Sequence, residues 1–355
     1  MKSKLLVPAF LAAICGGAFA QSSVTLFGNV DLSFAHASGS VNTVDSLSAS
    51  GINSSRIGFR GVEDLGGGLS AAFWLESGVD VDSGVGQATN TNNQTTGGAL
   101  AGINGSAGFT FNRRSTVSLV GNWGELRLGR DLTPNYVNVF LADPWWHLGY
   151  GVAQTVSGSV PGGANWIRAS NSVAYLTPTS LTNFFAHAMY FMGENASNLA
   201  NSQDGNGASV RVGYRTGNFS VSVAGQGTQR AAGNLTNTSA LATYDAGFAK
   251  FTAGANRDTI EGAPGGKGWV LGAKAPIGIH ELRGSLSSYE MDSAGSPRTQ
   301  KIALGYVYNL SKRTGLYSTV AFLLNSGGAT RALGGTATAA NENASGVQLG
   351  ISHAF

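Results

Sequence analysis

From Val24 onward apolar and polar residues alternate. Val24, Leu26, Gly28, Val30, Leu32 and Phe34 share one face, and Thr25, Phe27, Asn29, Asp31 and Ser33 share the other. The same period of two recurs where Leu69, Ala71, Phe73 and Leu75 interleave with Ser70, Ala72, Trp74 and Glu76, and where Val347, Leu349 and Ile351 interleave with Gln348, Gly350 and Ser352. Side chains alternate across a β-strand, so each segment predicts a strand with one greasy and one watery face. A soluble sandwich alternates too, but its outer face carries dense charge. Here the watery face is Gly, Ala, Ser, Thr, Asn and isolated arginines. That pattern predicts a barrel standing in a membrane, apolar outside and polar inside, closed so that every backbone hydrogen bond is satisfied.

The connections set the strand number. Short turns fall at 64–68, 121–124, 177–182, 216–218, 245–247, 276–279 and 309–313; longer polar or Gly-rich stretches fall at 35–53, 77–108, 131–167, 192–208, 226–239, 254–267, 290–299 and 325–345. Fifteen alternating connections join sixteen strands. At that width side chains no longer fill the interior and a water-filled lumen remains. The strands flanking Asp245 alternate poorly and carry the weakest signal.

Composition narrows the class. Charged residues are 12% and apolar residues 42%, too greasy a mixture for a disordered chain, while the 52 glycines lack a collagen repeat. After the first twenty residues no apolar run approaches the ~18 of a membrane-spanning helix. Those twenty begin with Lys2 and Lys4, continue through an apolar run from Leu5 to Ile14 and end Ala18-Phe19-Ala20. This is the layout of an export signal at 1–20, leaving one barrel domain at 21–355. Its loss removes two lysines and no acid, taking the formal net charge from +3 to +1. Net charge therefore selects no partner, and nucleic acid is not expected. The single cysteine, Cys15, goes with the signal, so disulfides and thiolate metal sites are not expected. The five histidines show no metal-ligand spacing, no Gly-x-Ser-x-Gly elbow exists, and no cofactor is expected.

Strand parity turns Arg56 and Arg60 into the lumen, because Ile57 and Phe59 between them point to lipid. Arg168, Arg211, Arg215, Arg283 and Lys301 follow, with the acids Asp31, Glu76, Glu125 and Glu281. Counting back from Val117 and Leu119 gives Arg114 the lumen and Arg113 the lipid, unless a bulge or loop start before Ser115 turns Arg113 inward.

Three runs carry a resemblance: Ser-Val-Thr-Leu-Phe-Gly at 23–28; Ser55-Arg56-Ile57-Gly58-Phe59-Arg60-Gly61 with Glu63-Asp64-Leu65-Gly66-Gly67-Gly68-Leu69; and Arg113-Arg114-Ser115-Thr116-Val117-Ser118-Leu119. Gly129-Arg130-Asp131, Asn309-Leu310-Ser311-Lys312-Arg313-Thr314 and Gly350-Ile351-Ser352-His353-Ala354-Phe355 extend it. Together they resemble the trimeric general porins of Gram-negative outer membranes, those of β-proteobacteria and the anion-selective members most closely. The resemblance implies an all-β, sixteen-stranded antiparallel transmembrane barrel whose third long segment, 131–167, folds inward as a constriction loop. It implies that Arg56, Arg113 and Arg168 are the constriction arginines, with Glu76 and Asp143 the acids that face or brace them, and Arg60 and Arg114 further lumen charges. The chain departs from many porins in carrying Asp143-Pro144-Trp145-Trp146 where an acidic Pro-Glu-Phe-Gly type of sequence stands. Trp145 and Trp146 are expected to pack the loop on the wall.

The implied function is passive diffusion of small hydrophilic solutes across the outer membrane, with anions preferred. The implied partners are two further copies in a homotrimer, outer-membrane lipids and lipopolysaccharide, and small anionic or polar solutes. The alternatives are a substrate-selective channel for small organic acids or phosphate, a barrel adhesin and a barrel enzyme.

Overall fold

The computed structural model describes residues 23–94, 109–159, 164–181 and 183–355. The expected export signal and Cys15 lie outside them. The strands are β1 (Ser23–Ser38), β2 (Thr43–Ala49), β3 (Arg56–Gly66), β4 (Leu69–Asp80), β5 (Val85–Gly86), β6 (Arg114–Gly121), β7 (Gly124–Leu132), β8 (Arg168–Leu176), β9 (Phe184–Phe191), β10 (Gly207–Thr216), β11 (Phe219–Thr228), β12 (Leu235–Asp245), β13 (Lys250–Ile260), β14 (Ala263–Ile277), β15 (His280–Met291), β16 (Arg298–Asn309), β17 (Thr314–Ser326) and β18 (Ala344–Ala354). Three short helices, α1 (Pro134–Ala142), α2 (Gln154–Ser157) and α3 (Ala164–Ile167), lie between β7 and β8.

Neighbouring strands of the wall pair antiparallel, and the sheet closes where β1 meets β18, from Asn29 opposite Ala354 to Ser38 opposite Ser345. β2 and β3 share one wall position: β3 pairs the first half of β1 and β2 the second. Between them residues 50–55 leave the wall, caught by the Asp31 carboxylate, which accepts the backbone N–H groups of Gly51, Ile52 and Asn53 at 2.8, 3.2 and 2.9 Å. β5 is a two-residue spur on β4. The wall is thus a closed sixteen-stranded antiparallel barrel, the number the connections predict.

Several connections are shorter than their polarity suggests. Only residues 261–262 separate β13 from β14, where 254–267 reads as a loop, and 229–234 suffice for 226–239. The stretch 35–53 is largely the hairpin of β1 with β2. The reason is the wet interior. Asn237, Asn256 and Asp258 are strand residues on the inner face, where Asn237 Nδ2 and Asn256 Nδ2 donate to the Asp258 carboxylate at 2.8 and 3.0 Å. Their polarity marks a lumen wall and not a loop.

The two faces of the wall are opposite in character. Val24, Leu26, Val30 and Phe34 are exposed on β1 while Asn29, Asp31 and Ser33 between them are buried. Around Asp245 the outward residues of β12 and β13 include Ala240, Ala242, Ala253 and Ala255, with Leu241 turned in against Ala142 and Val270. Alanine is a weak hydrophobic marker, which accounts for the faint alternation there.

Candidate functional site

The segment between β7 and β8 folds against the inner faces of other strands. Its first helix starts on Thr133, whose side chain accepts the Tyr136 N–H, with Pro134 next in line, a favourable start because proline lacks the donor that position leaves idle. α1 packs across β10 to β13, and Asn138 fastens it: Nδ2 donates to Ser239 Oγ at 3.2 Å and Oδ1 accepts from Arg211 Nε at 2.9 Å. Asp143 ends the helix and gathers the next turn, its carboxylate accepting from Trp145, His147 and Ala153 N–H at 2.9, 3.1 and 3.0 Å. Burial pushes this carboxyl upward and those three donors pull it back.

Trp145 is wholly buried against Ala303, Val307, Tyr317 and Ala321, and donates from Nε1 to Thr319 Oγ1 at 3.3 Å. Trp146 differs: it is 37% exposed, with Lys274 Nζ 3.8 Å from its ring centre. Lys301, which parity turns into the lumen, is buried and donates to the carbonyls of Tyr150 and Val152 at 3.2 and 2.8 Å, so it pins the loop. Arg211 and Asp31, read likewise as ordinary lumen charges, are tethers as well.

Opposite this loop, β3, β4, β6 and β8 assemble the arginines. Glu76 on β4 stands across from Gly58 of β3 and Arg114 of β6. Its carboxylate accepts from Arg113 Nε at 2.6 Å and Trp74 Nε1 at 3.0 Å, and lies 3.5 Å from Arg56 Nε. Arg168 Nε donates to the Arg113 carbonyl at 2.9 Å. Arg56, Arg113, Arg168 and Glu76 are therefore one connected group. Asp143 does not join it, because the turn after α1 uses both of its oxygens.

Residue 113 sits in a bend just before β6, and its N–H donates to the Glu76 carbonyl at 3.1 Å. Parity does not extend across a bend, so Arg113 and Arg114 both reach inner-face partners. Arg114 Nε donates to Thr116 Oγ1 at 3.0 Å, and its guanidinium lies 4.7 Å from the Trp74 ring centre. Arg60, further toward the short turns, rests between the rings of Phe27 and Trp74 at 5.2 and 5.1 Å.

Two participants escaped the sequence reading. Arg130 has lipid parity by simple counting, but the register of β7 shifts between Gly129 and Asp131. The bulge turns it inward, where it donates to the Asn112 carbonyl at 2.6 Å and to Ser170 Oγ at 2.9 Å. Gly129, at φ +118 with the Ser115 carbonyl where a Cβ would go, is the residue that permits this, and the Gly-Arg-Asp run is its only trace in the sequence. His147 is the other. It is hydrogen-bonded to the Tyr136 hydroxyl, and burial, with Arg168 and Arg113 nearby, lowers its pKa to about 3.

This geometry has counterparts in known proteins. The sequence pattern of a family described as Gram-negative porin matches residues 8–328. The chain is 37% identical to outer membrane porin protein 32 of Delftia acidovorans across the full length of both, and 27% identical to an outer membrane porin protein of Bordetella pertussis over 92% of this chain and 95% of that one. Among solved structures, the anion-selective porin from Comamonas acidovorans superposes with a TM-score of 0.79 at 34% identity, covering 94% of this chain and all of that one. The trimer form of OmpT from Vibrio cholerae shares the fold at a TM-score of 0.64 and 13% identity, covering 94% and 99%.

Proposed function

The chain belongs to the Gram-negative porin family and is an outer-membrane channel, and from that premise we propose that Arg56, Arg113 and Arg168 make it prefer anions. One observation carries the reading: the guanidinium groups of Arg56 and Arg113 flank a single carboxylate, Glu76, and a third, of Arg168, hydrogen-bonds the Arg113 carbonyl, so the group keeps a positive excess. A porin breaks no bonds, and its selectivity lies in width and field at the narrowest point. Guanidinium stays ionised at any physiological pH, and in a narrow tube with low-dielectric walls a cluster concentrates anions and repels cations. The loop pinned by Asp143, Trp145 and Lys301 narrows the lumen opposite this group, with Arg60 and Arg114 extending the basic wall toward the short-turn mouth. The homotrimer, contacts with lipid and lipopolysaccharide, and an export signal at 1–20 complete the proposal.

The test is the reversal potential of single channels in asymmetric KCl. The wild type should favour chloride, and Arg56→Ala, Arg113→Ala and Arg168→Ala should each move the potential toward potassium. A cation-preferring wild type defeats the assignment. Conductance that saturates with one organic acid or phosphate, and with no other solute, would point instead to a substrate-selective channel using the same arginines.

A further inference from the structure

At the short-turn end of the lumen a cleft of about 160 Å³ opens between β1 and β15 and is floored by β16 and β17; its Asn29 stands directly across from Arg56 of the Glu76 group in the pairing of β1 with β3. Two side chains on its opposite walls each bury a donor that no group among the described residues accepts, Asn29 Nδ2 and Arg283 Nη1, the Arg283 guanidinium lying 5.7 Å from the Trp146 ring centre. Both residues are more than nine-tenths buried. The orientation of Asn29 follows from its neighbours. Asn53 Nδ2 donates to Ser352 Oγ at 2.9 Å, and that hydroxyl donates to Asn29 Oδ1 at 3.3 Å, which leaves the amide nitrogen as the spare end. Arg283 spends Nε on Glu281 at 2.6 Å, and Glu281 is shared with Lys274 at 3.6 Å, so its charge is already answered. Lys312 and Arg313, from the turn before β17, also line the cleft.

We infer that this cleft is a binding site for a small oxyanion, held between the Asn29 amide and the free arm of the Arg283 guanidinium and closed over by Lys312 and Arg313. Buried donors without partners call for an acceptor, and cations on the same walls call for a charged one. A group with several oxygens meets both walls at once and matches the planar donor fork of arginine; chloride, a single sphere, does not. The site's existence does not depend on the selectivity proposed for Arg56, Arg113 and Arg168. Its consequence, a station for anions at the short-turn mouth, rests on that reading.

The probe is inorganic phosphate, added to either side of full-length channels reconstituted in planar bilayers and carrying a chloride current at constant ionic strength. Phosphate on the short-turn side should reduce the current saturably. The half-blocking concentration should rise at least tenfold in Asn29→Asp, which puts a carboxylate oxygen where the spare donor stood, and in the exposed pair Lys312→Gln with Arg313→Gln. Arg168→Ala, at the start of β8 and outside the cleft lining, should keep the block while shifting the reversal potential, so failure of the two readings is told apart. Absence of a saturable block, or a block lost in Arg168→Ala and untouched by both cleft variants, overturns the inference.

Discussion

Glu76 is the residue on which the arginines meet, and its removal separates charge from architecture. Glu76→Gln deletes one negative charge, so chloride preference in dilute KCl should increase. It also leaves Arg113 without its carboxylate in a mostly buried place, where breaking an ion pair costs about 3 kcal/mol or more. A lower thermal midpoint together with a reversal potential shifted toward chloride is the expected pair of results; a shift toward potassium would contradict the proposed field. His147 gives a second residue-level outcome. Its pKa falls from 6.5 to about 3 in the docked loop, so between those values the undocked loop binds more protons than the docked one. Docking is therefore strongest above pH 6.5 and loses up to ~1.4 kcal/mol for each pH unit below it. Asp143, raised by burial, acts in the opposite direction near the ordinary carboxylate range, which makes pH 6.5 to 5 the clean window. Amide exchange across 134–157 should quicken over that window and become flat in His147→Gln. Arg56 and Arg60 were legible because a regular strand carries parity through them. Arg113 and Arg130 were not, since a bend and a bulge each break the count at the residue in question.

Among elements, the inward segment between β7 and β8 decides the shape of the channel. Asp143 holds three backbone donors of the turn and Lys301 holds two of the loop's carbonyls. Asp143→Ala strands three buried N–H groups at about 1–3 kcal/mol each, enough to free the turn while the wall stays whole. Single-channel records should then show larger mean conductance with rapid flicker; an unchanged, quiet current would mean the turn holds by packing alone. Gly129→Ala tests the bulge, because a Cβ there meets the Ser115 carbonyl in a backbone conformation that side chains disfavour. Folded yield should fall, and the surviving channels should be less anion-selective because Arg130 is no longer aimed inward. That this segment folds inward was legible only through family resemblance. Its length and its Gly, Ser and Asn content look like those of any long connection, and Asp143 looks like a partner for arginine until the turn around it is seen.

For the whole molecule, width follows from strand number, and strand number was readable because greasy faces and turns repeat in step. Loop lengths were less readable, since a lumen wall of Asn, Asp and Thr has the composition of a loop. If fixed arginines sort the ions, chloride preference should decline between 0.1 M and 1 M KCl as the screening length shrinks from ~10 Å to ~3 Å. Reversal potentials at constant gradient ratio measure this directly, and a salt-independent value would favour discrete binding over a field. The proposed homotrimer predicts that unheated samples in mild detergent migrate near three times the heated mass.

The pairing of β1 with β18 has a bearing on how the molecule is made. A cylinder sealed by β1 and β18 cannot close in this pairing until both are in place, and a sheet lacking either would carry a bare row of donors and acceptors along its margin. A polypeptide cut short of β18 should therefore clump before it could ever leak.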